Sequence, residues 1–170
     1  MDLEAIKDIE RLKYRYTRAL DTKEWGDLAE TLMADVTAIY GEQLEFDSRD
    51  TFVSFLENTL GTHMITEHQC GQPEIDVDGD SATGVWLLAD TVVVPEDGML
   101  MRGSAFYHDR YTKCEDGQWR IAHTGYDRIW ESVLSLSDVP SFRLASNRWA
   151  KLATVPAATV EVARPDGLIA

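Results

Sequence analysis

Between Glu74 and Glu131 the chain carries three turn segments, Asp78-Gly79-Asp80, Pro95-Glu96-Asp97-Gly98 and Glu115-Asp116-Gly117-Gln118, separated by stretches rich in β-branched and aromatic residues. Asp-Gly between such stretches is a strong short-range hairpin signal. The pattern predicts strands over 74–77, 81–94, 99–113 and 119–131, joined as an antiparallel meander. A sheet of that length must bury one face, so the rest of the chain has to supply the cover.

The preceding residues read as that cover. Leu3, Ile6, Ile9, Leu12, Tyr16 and Leu20 recur at helical spacing, with Lys7, Asp8, Glu10, Arg11 and Lys13 read as the polar residues between them and Asp2 as the N-cap. A second helix is expected over 24–33, a short strand over 36–40, and a third helix capped by Asp47 or Ser48 and closed by Gly61. Helices first and strands after make an α+β fold, a cone in which a curved antiparallel sheet wraps three helices. The expected domain spans 1–135, and 136–170 is a C-terminal extension. Phe142, Leu144, Trp149 and Leu152 suggest a short helix in that extension, a lid or an oligomer contact, ahead of an aperiodic run to Ala170.

Charge excludes several functions. The chain has 16 Lys and Arg against 30 Asp and Glu. An acidic chain lacks the basic footprint that nucleic acid or an anionic membrane surface requires. The acid is uneven: residues 1–80 carry 7 basic and 19 acidic side chains, residues 81–170 carry 9 and 11. No apolar run approaches the roughly 20 residues of a membrane span. Cys70 and Cys114 form no metal-ligand or redox spacing and are expected as reduced thiols in a cytoplasmic protein. No phosphate loop, dinucleotide fingerprint or zinc signature occurs, so no metal and no organic cofactor is implied.

An apolar cone with a few inward polar groups fits a small hydrophobic molecule. Asp21 lies at the C-terminal end of helix 1, where a carboxylate opposes the helix dipole; a turn-forming Asp is the competing reading. His68 enters the first long strand, and an Asp-oriented imidazole is a general base at neutral pH. His63 faces the other side of an extended strand, and spacing leaves His108 and His123 open. Tyr16, Tyr40, Tyr107 and Tyr126 are candidate donors to a carbonyl oxygen or candidate aromatic core. Arg128, sharing a face with Tyr126 near a strand end, is either a stabiliser of developing negative charge or half of a salt bridge. Trp86 is a further candidate for the cone lining.

These residues fall in stretches that resemble a known family. Tyr-Thr-Arg-Ala-Leu-Asp at 16–21 with Lys23-Glu24-Trp25, Thr66-Glu67-His68, Pro73-Glu74-Ile75, Ala82-Thr83-Gly84-Val85-Trp86, and Tyr107-His108-Asp109-Arg110-Tyr111 running into Asp116-Gly117-Gln118-Trp119-Arg120-Ile121 resemble the SnoaL-like branch of the nuclear transport factor 2-like superfamily. That branch includes dehydratases and a dehydrochlorinase. The resemblance implies an Asp–His dyad at Asp21 and His68, a helix-1 Tyr at Tyr16 and a strand-end Arg at Arg128. Tyr16 stands where the dehydrochlorinase has a Lys, and that enzyme's Arg falls nearer Thr124, which argues against halogen elimination; scytalone dehydratase has a second His on the strand where Trp86 lies here, which argues against its substrate. The implied activity is a lyase of the dehydratase type on a steroid- or polyketide-like ring compound. Alternatives are an isomerase or cyclase with the same base, or a non-catalytic binding and assembly protein. Trp86, Leu88, Val92 and Val94 share one strand parity, and Val85, Leu87 and Val93 the other, so both sheet faces are apolar and a homo-oligomer is expected. The resemblance favours a trimer over a dimer.

Overall fold

The computed structural model describes residues 2–40 and 44–150. Helix α1 (Leu3–Thr22) starts at Asp2, whose carboxylate accepts from the Ala5 amide at 3.0 Å. It ends at Lys23, which adopts the left-handed conformation (φ 60°) and donates its backbone N–H to the Ala19 and Leu20 carbonyls. Helix α2 (Trp25–Glu30) is shorter than the expected 24–33, because Leu32 and Met33 already belong to strand β1 (Leu32–Tyr40). Strand β2 (Leu44–Phe46), which has no sequence signal of its own, pairs with β1. Helix α3 (Arg49–Thr59) is capped by Ser48, whose hydroxyl accepts from the Thr51 amide.

Four long strands follow: β3 (Ile65–Asp78), β4 (Ser81–Val94), β5 (Met99–Lys113) and β6 (Trp119–Ser135). Gly79, Gly98 and Gly117 take positive φ at their three turns, the conformation that only glycine adopts without strain. β3 is longer than the expected 74–77. It runs through a bulge between Gly71 and Glu74, where Gln72 has φ 50°, so the polar stretch before it is also strand. The six strands form one sheet in the order β2-β1-β6-β5-β4-β3. The expected all-antiparallel sheet is corrected at one pair: β1 runs parallel to β6.

The even residues of β4 from Ala82 to Val94 are buried, and so are the odd residues of β5 from Gly103 to Tyr111. These two rows form the concave face, and α1 and α3 fill it. Lys13, expected among the polar residues of α1, is on the buried stripe with Ile9, Tyr16 and Leu20. Its ammonium bonds Asp109 of β5 at 2.7 Å, and both side chains are fully buried. Asp109 also accepts from Tyr111 (2.7 Å) and Thr124 (2.8 Å), and the Tyr111 hydroxyl accepts from Trp86 Nε1 at 2.8 Å. Each polar side chain of that buried cluster thereby has at least one hydrogen-bond partner.

After β6 a 3-10 turn (Leu136–Asp138) leads into the extension. The expected helix does not form over the described residues 142–150, which hold isolated turns only; Leu152 and the run to Ala170 lie outside the described residues. Arg148 reaches Glu24 at 3.7 Å, at the start of α2. Among the described residues no helix is long and apolar enough to cross a membrane.

Removing one partner of a buried ion pair strands the other. Lys13→Met should lower the unfolding free energy by about 3–5 kcal/mol, read from the urea midpoint at constant slope. A loss under about 1 kcal/mol would show that the Lys13–Asp109 pair does not anchor α1.

Candidate active site

Asp21 belongs to the last turn of α1, and β3 passes beside it. His68 Nδ1 lies 2.6 Å from Asp21 Oδ1, and the His68 amide donates to Asp21 Oδ2 at 2.8 Å. Thr66, two residues earlier on the same strand face, donates its hydroxyl to Asp21 Oδ1 at 2.8 Å. That hydroxyl in turn accepts from Lys23 Nζ at 2.8 Å. Three donors thus converge on a carboxylate that the helix dipole alone would disfavour. An ionised Asp21 accepts only, so His68 donates from Nδ1, and a neutral ring held this way carries its lone pair on Nε2. Nε2 makes no hydrogen bond to the described residues. The His68 side chain is 9% exposed and that of Asp21 22%.

Along the concave face the site extends as a lateral row. His68 stands opposite Asp90, Asp90 opposite Gly103, and Gly103 opposite Glu131. Arg128 Nη1 donates to both oxygens of Asp90, at 2.8 and 3.0 Å. Arg128 Nε approaches Glu131 at 3.5 Å, and the guanidinium lies 4.8 Å from the centre of the Tyr126 ring. The salt bridge expected as one reading of Arg128 forms, with Asp90 as partner. A β-bulge shifts the register here: Ser104 pairs with Trp130 and Ala105 with Arg128, leaving Ile129 over, so simple parity beyond residue 128 does not hold. Gly103 gives the pair its room. A Cβ there would lie 2.4 Å from Arg128 Nη1 and 2.9 Å from Asp90 Oδ1.

The four tyrosines meet behind this row. The Tyr16 and Tyr40 hydroxyls are 3.3 Å apart, Tyr40 leans on Tyr126 with centroids 5.0 Å apart, and Tyr107 meets Tyr126 edge-on at 5.7 Å. Tyr16 and Tyr107 are sealed from solvent, while Tyr40 and Tyr126 are half-buried. Burial pushes the Tyr16, Tyr40 and Tyr107 phenols well above their usual range, so they remain proton donors through neutral pH. Burial also raises the Cys70 thiol to about 11, which keeps it from acting as a nucleophile. A cleft of about 730 Å³ opens on Tyr40, Tyr126, Arg128 and Glu131. Its lining does not include Asp21 or His68; the Arg128–Asp90 pair stands between them. Trp86 is corrected from a lining residue to core: it is fully buried, and its indole N–H is committed to Tyr111.

Of the open histidines, His108 pairs with Asp127 at 3.3 Å on the exposed face, and His123 Nδ1 is 2.7 Å from the Thr37 hydroxyl. Asp90 and Lys23 were not candidates in the sequence. The signal for Asp90 was present: a carboxylate at the parity of Trp86, Leu88 and Val92.

The SnoaL-like domain model matches residues 1–125. The chain belongs to the SnoaL-like family. The match stops short of Arg128. Among solved structures, a protein assigned as a scytalone dehydratase from Novosphingobium aromaticivorans superposes with a TM-score of 0.72 at 22% identity, over 77% of this chain and 88% of its own. A hexachlorocyclohexane dehydrochlorinase gives 0.71 at 17% identity, over 78% and 90%. A protein of unknown function from Mycobacterium tuberculosis gives 0.64 at 24% identity, over 74% and 72%. At these identities the likeness establishes the shared α+β cone of the nuclear transport factor 2-like fold.

Gly103→Ala should force Asp90 and Arg128 apart and lower the unfolding free energy by about 1–3 kcal/mol, measured by chemical denaturation. Wild-type stability in that variant would mean that the pair rearranges freely.

Proposed function

We propose that this protein is a cofactor-independent lyase of the dehydratase type, acting on a small hydrophobic ring compound, with His68 as general base and Asp21 as its orienting partner. The observation that carries this reading is the 2.6 Å contact from His68 Nδ1 to Asp21, with Nε2 left unengaged by the described residues. An imidazole held in that tautomer takes a proton at Nε2, and Asp21 stabilises the imidazolium that forms. The C–H bond next to a substrate carbonyl breaks, and its electron pair moves onto the carbonyl oxygen. The hydrogen-bonded Tyr16–Tyr40 pair supplies the donor for that oxygen. The enolate then collapses to the carbonyl and a new C=C bond as the β C–O bond breaks, the imidazolium gives its proton to the departing hydroxyl, water leaves, and the base is regenerated. Arg128 contributes less positive charge than a free guanidinium because Asp90 neutralises it. Two of the similar structures carry names that denote eliminations, which is consistent with this chemistry.

Pairing of Arg128 also favours a second reading, in which the same base shifts a proton or closes a ring without loss of water. Incubation with a panel of β-hydroxy carbonyl ring compounds separates the two by product mass. His68→Ala should reduce turnover roughly 10²–10⁴-fold, and Asp21→Asn should do so by a comparable factor, with circular dichroism unchanged. Turnover at the wild-type rate in His68→Ala would reject the base assignment. Binding of ring compounds without conversion would place the protein among the non-catalytic members.

The reading includes self-association, with three copies as the proposed state. Phe106, Ile129, Trp130, Val133 and Leu134 are exposed on β5 and β6, and apolar surface of that kind marks an interface. Light scattering at micromolar concentration should give a multiple of the 19.2 kDa chain mass; a monomer mass would reject it.

A further inference from the structure

The C-terminal end of α1 holds a hydrogen-bonded chain that proton abstraction does not itself use. Lys23 Nζ donates to Thr66 Oγ1 at 2.8 Å, and Thr66 Oγ1 donates to Asp21 Oδ1 at 2.8 Å. The same Asp21 oxygen meets His68 Nδ1 at 2.6 Å. The direction of this chain is fixed, because an ammonium has no lone pair. The Thr66 oxygen must accept from Lys23, so its single proton points to Asp21. Lys23 and Thr66 are only 8% and 7% exposed. Lys23 also occupies the left-handed region at φ 60°, where glycine would sit without strain. What the lysine supplies at that position is its side chain.

The charges around His68 leave a gap that Lys23 fills. Asp21 faces it from α1. Asp90 stands opposite it on β4, already paired to Arg128 of β6, which also approaches Glu131. Cys70 on its own strand stays a neutral thiol. The Asp90–Arg128 pair cancels itself and Glu131 is exposed to solvent, so the uncompensated charge in direct contact with the imidazole is that of Asp21. An anion alone would favour the imidazolium, a form unable to accept a proton.

We propose that Lys23 is the counter-charge of the Asp21–His68 dyad, acting through Thr66 to keep the imidazole in its neutral, proton-accepting form. This rests on the dyad reading of the preceding section. Lys23 and Thr66 are then positioning residues and touch no substrate. Burial lowers the Lys23 ammonium to about 8, against the pull of Asp21, the charged group that faces it. The counter-charge is therefore present at neutral pH and is lost as the pH rises through that value.

The test is a nuclear magnetic resonance titration of the His68 ring nitrogens, which needs no substrate, in the wild type and in Lys23→Met, Lys23→Arg, Thr66→Val and Thr66→Ser. His68 in Lys23→Met should bind its proton roughly threefold more tightly than in the wild type. The wild-type ring signals should show a second inflection near pH 8, which Lys23→Met lacks. Lys23→Arg should keep the wild-type proton affinity and lose that inflection. Thr66→Ser should follow the wild type, and Thr66→Val should follow Lys23→Met. A wild-type titration in Lys23→Met, with the hydrogen-bonded Nδ1 proton still visible, overturns the counter-charge and leaves the dyad standing. Absence of a hydrogen-bonded Nδ1 proton in the wild type overturns the dyad reading, and the counter-charge with it.

Discussion

The geometry of this cone depends on one buried ion pair. Lys13 and Asp109 lie at the centre of the concave face with no solvent contact. Two charges taken out of water cost several kcal/mol each unless every donor and acceptor is matched. Asp109 meets that condition with three donors, and the Lys13 ammonium also lies 3.5 Å from the centre of the Tyr107 ring. The demand for that matching fixes both the rotation and the axial register of α1 over the sheet. A helix rises about 1.5 Å per residue. Tyr16 is then one turn beyond Lys13, over the tyrosine cluster, and Asp21 about two turns beyond, against β3. An apolar anchor would tolerate a sliding helix. A matched buried charge pair does not, and the dyad distance inherits its definition from it.

Much of this was legible in the sequence. The three turn glycines adopt positive φ where the hairpins were expected, so the meander and its order followed from local chemistry. Alternation of buried residues along β4 follows the same logic. Asp21 stood out because it sits at the wrong end of a helix for a carboxylate. The structure supplies the physical resolution, three donors aimed at it.

The parts that were not legible share a cause: each is set by a distant partner. The parallel pairing of β1 with β6 brings together Tyr40 and Tyr126, and no local signal reports it. The bulge at Ile129 cannot be read from alternation, because an extra residue changes parity only relative to the opposite strand. Lys13 was read as polar surface because lysine is rarely buried unpaired. Its spacing from Ile9 and Tyr16 was the signal that it belonged to the buried stripe. The end of α2 was placed too late because Leu32 and Met33 fit a helical stripe as well as a strand. Pairing of β1 with β6 at Leu32 and Ile121 decides in favour of the strand.

The arrangement of charge within the cone bears on the base proposed above. Three carboxylates inside the cone are each met by a cation: Asp109 by Lys13, Asp90 by Arg128, and Asp21 by Lys23 through Thr66. The first two contacts are direct, and those charges are spent on each other. The third runs through a hydroxyl, and Asp21 Oδ1 accepts both from that hydroxyl and from His68 Nδ1. Through the interposed threonine, one carboxylate is linked to an ammonium and still meets the imidazole.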